Sequence, residues 1–84
     1  MLKIIDVDFK KDFLLELSFN NGESHLLNFK PLLKGSRYQP LSDPAFFKQF
    51  GIVNGTLEWV NGADFAPEYL HEQALLQNQK ESIK

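Results

Sequence analysis

Cysteine is absent from the 84 residues, which excludes disulfides, thiolate metal sites and cysteine nucleophiles. No apolar run approaches the roughly 18 residues that a membrane-spanning helix needs. The N-terminal segment reaches an acid at Asp6 without an apolar core, so we do not expect a signal peptide. Together these absences predict a soluble protein of a reducing compartment, and the cytoplasm is the simplest such compartment.

Basic residues are also few: nine Lys+Arg stand against eleven Asp+Glu, for a net charge of −2. A nucleic-acid-binding protein usually carries a basic face, because neutralising phosphates supplies most of its affinity. Here the one loose basic grouping is Lys30, Lys34 and Arg37, and such groups are more often solvated rims. Direct nucleic-acid binding is therefore not expected, and the slight acidity suits either a basic partner or ordinary solubility.

Hydrophobic residues make up 43% of the chain and charged residues 24%, which is the composition of a globular protein. A chain of this length makes one domain with a thin core, since it buries only about 60–65% of the surface exposed on unfolding. We expect a single α+β domain over residues 1–76. The polar, aperiodic segment 77–84 is expected to fray.

The first half of the chain is typical of a three-stranded antiparallel β-meander. Residues 5–10 and 13–19 alternate apolar and polar side chains, the period of a strand with one wet face. Asn21-Gly22 follows directly and indicates a hairpin with a type I′ turn. A third run, 25–29, places apolar side chains on one face and ends before Pro31, which cannot donate to a strand ladder.

The second half predicts another β-hairpin and two short helices packed on the sheet. Asn54-Gly55 separates two apolar runs, with the chemistry of a tight hairpin turn. Ser42-Asp43-Pro44 indicates a helix start, and Gly51 is predicted to end that helix. A further helix is predicted from Pro67 to about Gln77. The residues expected to supply most of the core are Phe9, Phe13, Phe19, Phe29, Phe46, Phe47 and Trp59.

The two histidines are the main candidates for metal chemistry, His25 on a strand and His71 on the last helix. Glu68 and His71 share one helical face, as do the ligands of some di-iron bundles. Those sites need further ligands from neighbouring helices, and this chain offers one clear helix. We therefore predict no metal site and no cofactor.

Catalytic motifs are lacking as well: the sequence has neither Gly-x-Ser-x-Gly nor a glycine-rich phosphate loop. Asp64 precedes Pro67 and is interpreted as a structural cap in preference to a catalytic acid. An enzyme would require Asp64, Glu68 and His71 to lie close together. We do not expect this protein to be an enzyme and assign no catalytic residue.

Arg37 and Tyr38 are the candidate interaction residues. Both types are enriched at the centres of protein interfaces, and here they are predicted to lie together in a loop. An exposed strand edge would add a second means of binding, by β-augmentation. Trp59 is interpreted as a core residue, whereas an exposed Trp59 would indicate a contact site.

Several spaced motifs resemble a known bacterial family, domain of unknown function 2442. The resemblance covers residues 2 to about 72. Its motifs are Asn21-Gly22 after a phenylalanine-rich strand, Leu41-x-Asp43-x-x-x-Phe47, and Leu57-x-Trp59-x-Asn61-Gly62-x-Asp64-x-x-Pro67-Glu68-x-Leu70. The family more often has Asp-Gly at the first turn.

The resemblance implies a compact α+β domain of a bacterial protein with no established activity and no catalytic residues to carry over. Some relatives resemble this domain fused ahead of a helix-turn-helix, for which these residues show no second helical pair. Others are encoded beside a second small protein, an arrangement like that of toxin–antitoxin pairs.

The favoured hypothesis is a non-enzymatic protein-interaction or regulatory module, with an antitoxin-like member of a two-protein pair as its narrower form. The alternative is a small-ligand sensor acting on a separate effector, although a thin core leaves little room for a ligand. A protein partner is expected. A symmetric homodimer is also compatible with a small domain that has sheet edges.

Overall fold

Two three-stranded antiparallel sheets and a C-terminal helix form the domain in this computed structural model, which describes residues 1–82 and the side chains of residues 1–79. The first sheet consists of β1 (Ile4–Lys11), β2 (Leu14–Phe19) and β3 (Ser24–Asn28). The second consists of β4 (Phe50–Val53), β5 (Thr56–Trp59) and β6 (Asp64–Phe65). Along the chain, the segment that joins the two sheets contains two 3₁₀ turns, Lys30–Leu32 and Gln39–Ser42, and the short helix α1 (Pro44–Phe47). The long helix α2 (Pro67–Ser82) follows β6. The predicted α+β architecture is confirmed.

The first sheet is the predicted meander, with two irregularities in β1, one near each end; the second lies between Phe9 and Lys11. The register shifts between Ile4 and Asp6, where Ile4 pairs with Phe19 and Asp6 with Ser18. The extra residue of such a β-bulge reverses the alternation of side chains. Ile4 is consequently buried, while Ile5, which the simple alternation grouped with Val7, is 62% exposed.

The predicted hairpins are both present, but their turns differ in type. Asn54 and Gly55 have φ values of +52° and +80°, as the expected type I′ turn requires. At the first hairpin Gly22 has a positive φ and Asn21 does not. The Gly22 N–H donates to the Phe19 carbonyl, and the Asn21 side chain accepts from the Glu23 N–H, the pattern of a three-residue loop that ends in a glycine bulge.

The second sheet has one strand more than predicted. Asn61-Gly62 turns the chain so that Asp64 pairs with Glu58 and forms the two-residue strand β6. Asp64 is therefore a strand residue, which differs from the predicted helix cap. Gly51 lies within β4 and does not end α1, which stops at Phe47.

Both helices begin where the sequence indicated. The Asp43 side chain accepts from the Ala45 N–H at the start of α1, and Pro44 occupies the first position. Helix α2 begins at Pro67 but continues to Ser82, past the predicted end near Gln77. Residues 77–82 of the segment expected to fray are thus helical, and 83–84 lie outside the described residues.

A cluster of aromatic and aliphatic side chains lies between the sheets and the helices. Four of the seven predicted core residues, Phe19, Phe29, Phe47 and Trp59, are buried, and Phe9, Phe13 and Phe46 pack against them partly exposed. Phe65, which is not one of the predicted core residues, is also buried. Within the described part of the chain, no helix is both long and apolar enough to cross a membrane.

Candidate functional site

A groove, which we call the aromatic groove, lies between α2 and the segment that follows β3. It has a volume of about 860 Å³ and is partly open to solvent. Its lining is mostly apolar and combines the first 3₁₀ turn, β6 and one face of α2. The lining residues on which the argument depends are Lys34, Tyr38, Phe65, Tyr69, Gln73 and Leu76.

Three aromatic rings stack side by side along this groove. The ring centroid of Phe65 lies 4.7 Å from that of Tyr38 and 6.0 Å from that of Tyr69, and the interplanar angles are 19° and 6°, respectively. Phe65 is buried, and the Tyr38 hydroxyl donates to the Asp64 carbonyl at 2.9 Å. The rings of Phe65 and Tyr38 are therefore anchored by the second sheet, and together with Tyr69 of α2 they form one wall of the groove.

The α2 side of the groove leaves apolar side chains exposed to solvent. Tyr69 and Leu76, seven residues apart, lie on one face of the helix and are 40% and 48% exposed. Leu75 is similarly exposed, at 44%, but does not line the groove. Leu75 and Leu76 thus form a matched pair that separates the effect of groove position from that of surface hydrophobicity.

A second feature, the histidine–carboxylate cluster, consists of Glu23, His25 and His71. Oε1 of Glu23 lies 2.7 Å from Nε2 of His25 and 2.7 Å from Nε2 of His71. The imidazole rings are 18% and 21% exposed, and the carboxylate is 47% exposed. The cluster is therefore partly sheltered and open on the carboxylate side.

The local fold explains why these three side chains meet. Glu23 and His25 are two residues apart in an extended segment, so they project from the same face. His71 reaches them because α2 is docked on β3, where the Gln77 side chain accepts from the Asn28 N–H and donates to the Asn28 carbonyl, both at 2.9 Å. The position of α2 thus brings His71 to the hairpin.

Hydrogen bonding within the cluster lowers the pKa of the Glu23 carboxyl below its ordinary value. The bond from His25 is the larger cause and the bond from His71 the next, while partial burial acts in the opposite direction. Hydrogen bonds to the charged form favour ionisation. Glu23 is consequently held as a carboxylate, the form in which it accepts from both imidazoles.

The predicted interaction residues separate in the structure. Tyr38 lies in the aromatic groove, whereas the exposed Arg37 is not among its lining residues and contributes its carbonyl to the Asn61 side chain at 3.3 Å. A role for either in binding a partner stays a prediction. Trp59 is buried, as expected for a core residue.

Of the residues considered for catalysis, His71 contacts Glu23 in the cluster. Asp64 lies on β6, and Glu68 is exposed in the first turn of α2. Glu23 was not among the predicted site residues, because the pairing of Glu68 with His71 along the last helix gives no indication of a contact with the first hairpin. The Glu23-x-His25 spacing was the available signal, since alternate residues of a strand share a face.

Comparisons with known proteins complete this description. Neither the curated proteins nor the solved structures contain a match to the chain. A family model does match, over residues 4–75, and this range includes both strands of the first hairpin, Trp59 and most of the lining of the groove. The predicted resemblance is confirmed: the chain belongs to the family described as Protein of unknown function (DUF2442).

Proposed function

We propose that this protein is a cytoplasmic bacterial protein-interaction module without enzymatic activity, and that its aromatic groove binds an extended segment of a partner protein. The observation that carries the proposal is the anchored stack of Tyr38, Phe65 and Tyr69 beside the exposed Leu76. Aromatic residues on a rigid support are enriched among the residues that dominate binding energy. Tyrosine in particular offers a large contact area and loses little conformational freedom on binding, and Tyr38 and Tyr69 are the rings of the stack that remain accessible.

The shape and lining of the groove favour an extended segment that presents proline or aliphatic side chains. Aromatic-lined grooves bind such segments because the preformed extended conformation loses little entropy. Lys34 and Gln73 line the same groove and supply donors for backbone carbonyls of the bound segment. Apolar contact thus supplies affinity, and these polar groups orient the segment.

The narrower form of the proposal is an antitoxin-like role in a two-protein pair. It is supported by the net charge of −2, which suits a basic partner, and by the resemblance to relatives encoded beside a second small protein. In this role the groove would hold a segment of the partner and keep it from its own target.

The test is recovery of a stoichiometric partner from native cells with three forms of the full chain. Wild type and Leu75→Lys are expected to retain the same protein at equal stoichiometry, and Leu76→Lys is expected to lose it. The reason is that burying an unpaired lysine in an apolar groove opposes binding, whereas Leu75 lies outside the lining.

Equal retention by both lysine variants would contradict binding in the groove. Recovery of the wild-type chain alone would contradict the interaction function itself. Sedimentation of the purified chain tests whether it forms a homodimer. If a dimer is found, and Leu76→Lys dissociates it while Leu75→Lys does not, then a second copy of this chain is the partner that the groove binds.

A small-ligand sensor is the second candidate function. A thin core predicted little room for a ligand, but the groove is large enough to hold one. A volume of about 860 Å³ falls within the roughly 300–1,000 Å³ of sites for small ligands. A thermal-shift screen against metabolites checks this candidate. A compound that stabilises wild type and Leu75→Lys but not Leu76→Lys would support it, and the absence of any shift would contradict it.

A further inference from the structure

The histidine–carboxylate cluster joins ligand atoms from two parts of the fold at one point of the surface. Its three candidate ligand atoms all lie within 4.8 Å of one another. They come from the first hairpin and from α2, which are far apart in sequence. We propose that this cluster binds Zn²⁺ through Nε2 of His25, Nε2 of His71 and a carboxylate oxygen of Glu23.

Two of the three distances between these atoms, those that involve Glu23, are close to the distances that zinc imposes. Zinc bonds of about 2.0–2.2 Å in a tetrahedron place neighbouring ligand atoms about 3.3 Å apart. The two carboxylate–imidazole distances, each 2.7 Å, must therefore widen by about 0.6 Å. The Glu23 side chain is 47% exposed and so has room to make this movement. Each imidazole must also carry its proton on Nδ1, so that the lone pair of Nε2 binds the ion and the two hydrogen bonds to Glu23 are given up.

The imidazole rings, in contrast, are held in place. The buried ring of Phe19 packs edge to face against both imidazoles, with its centroid 5.1 Å from that of His71 and 6.0 Å from that of His25. The centroids of the two imidazole rings lie 5.4 Å apart. Since the rings are already oriented in this structure, little conformational entropy is lost when an ion binds. Packing against the buried Phe19 ring therefore supports both imidazoles from the side of the core.

The donor set favours zinc over Mg²⁺ and Ca²⁺. Two imidazole nitrogens and one carboxylate oxygen suit zinc, whereas Mg²⁺ and Ca²⁺ prefer sites made of oxygen atoms. Three protein ligands leave a fourth position for water. The bound ion would join the first hairpin to α2, and it would therefore stabilise the domain.

This inference is independent of the proposed function. His71 follows Tyr69 by two residues, which places it roughly 200° around the helix axis. The cluster and the groove thus use different faces of α2. Variants in one are not expected to change binding at the other.

The test is calorimetric titration of the metal-stripped full chain with zinc chloride, and in parallel with magnesium chloride. We expect one Zn²⁺ per chain and no saturable Mg²⁺ binding. His25→Gln and His71→Gln are each expected to weaken zinc binding by more than about tenfold, as loss of a ligand or its support does. Glu68→Gln, on the same helix, is the control and should bind as wild type does.

Zinc at a hundredfold excess over its Kd is expected to raise the melting temperature by roughly 10–20 °C. Far-UV circular dichroism establishes that each variant is folded, and Glu23→Gln, at the most exposed ligand, provides a third variant if a histidine variant unfolds. The proposal is overturned if folded wild type shows no saturable zinc binding. It is equally overturned if the folded ligand variants bind zinc as tightly as Glu68→Gln.

Discussion

The indole of Trp59 illustrates how a single residue serves both packing and hydrogen bonding in this domain. Its side chain is 2% exposed, and its Nε1–H donates to the Phe47 carbonyl at 2.8 Å. The ring also packs against Phe29, Phe50 and Phe65. Because a buried carbonyl without a partner is costly, Trp59 stabilises α1 as well as the core.

We expect Trp59→Ala to lower the free energy of unfolding by about 3–5 kcal/mol, since it removes a buried ring and leaves a cavity. Urea denaturation followed by circular dichroism measures this loss. The neighbouring Val60, which is 79% exposed, supplies the control: Val60→Ala should change stability by less than about 0.5 kcal/mol. Equal effects of the two substitutions would contradict the role assigned to the indole.

At the scale of elements, the turn between β4 and β5 does more than reverse the chain. The Gly55 carbonyl accepts from the Ile4 N–H at 2.9 Å, so this hairpin contacts the beginning of β1. A Cβ atom built on Gly55 would lie 2.7 Å from the Cβ of Lys3. Glycine is thus required here both for its positive φ and for close approach of the two sheets.

Gly22, which also has a positive φ but has open space around it, allows these two requirements to be separated. We expect Gly22→Ala to lower the free energy of unfolding by about 1–2 kcal/mol, the cost of the left-handed conformation alone. Gly55→Ala should lose about 1–3 kcal/mol more, because the added methyl group overpacks the contact with Lys3. Equal losses in thermal or urea denaturation would show that the contact between the hairpin and β1 does not constrain position 55.

At the scale of the whole molecule, the two sheets share one core although no strand of residues 1–82 belongs to both. Phe29 directly follows β3 and packs against three other rings. Its ring centroid lies 5.8, 6.2 and 5.5 Å from those of Phe47, Trp59 and Phe65, respectively. It thereby connects the first sheet with α1 and with the second sheet. Separating the sheets would expose these rings to water, at a cost roughly proportional to the apolar area exposed.

We therefore expect the sheets to unfold together. Urea transitions followed by Trp59 fluorescence, which reports on the second sheet, and by methyl NMR signals of Leu15 and Leu17 on β2 should have the same midpoint. Phe29→Ala is expected to lower both midpoints together. Distinct midpoints in the wild-type protein would contradict a shared core.

Local patterns in the sequence determined the elements that depend on local physics. The Asn-Gly pairs specify hairpins because few residues tolerate a positive φ, and Asp43-Pro44 starts a helix because an aspartate accepts from free amides. Alternating hydrophobicity identified β2 and β3, and the family motifs identified the family. The two register shifts in β1 and the two-residue strand β6 were not predicted, because a register depends on the partner strand and β6 is too short to show a period.

The candidate sites were decided by tertiary structure. Tyr69 meets Phe65, and His71 meets Glu23, because α2 packs across β3, where Gln77 binds the strand backbone. Tyr38 meets Phe65 because the chain returns from the loop after β3 to β6. Helical periodicity predicts which residues share a face of α2, but not what that face contacts. Long-range packing of this kind depends on the sum of many weak contacts across the chain, and that sum is not contained in the spacing of any single motif.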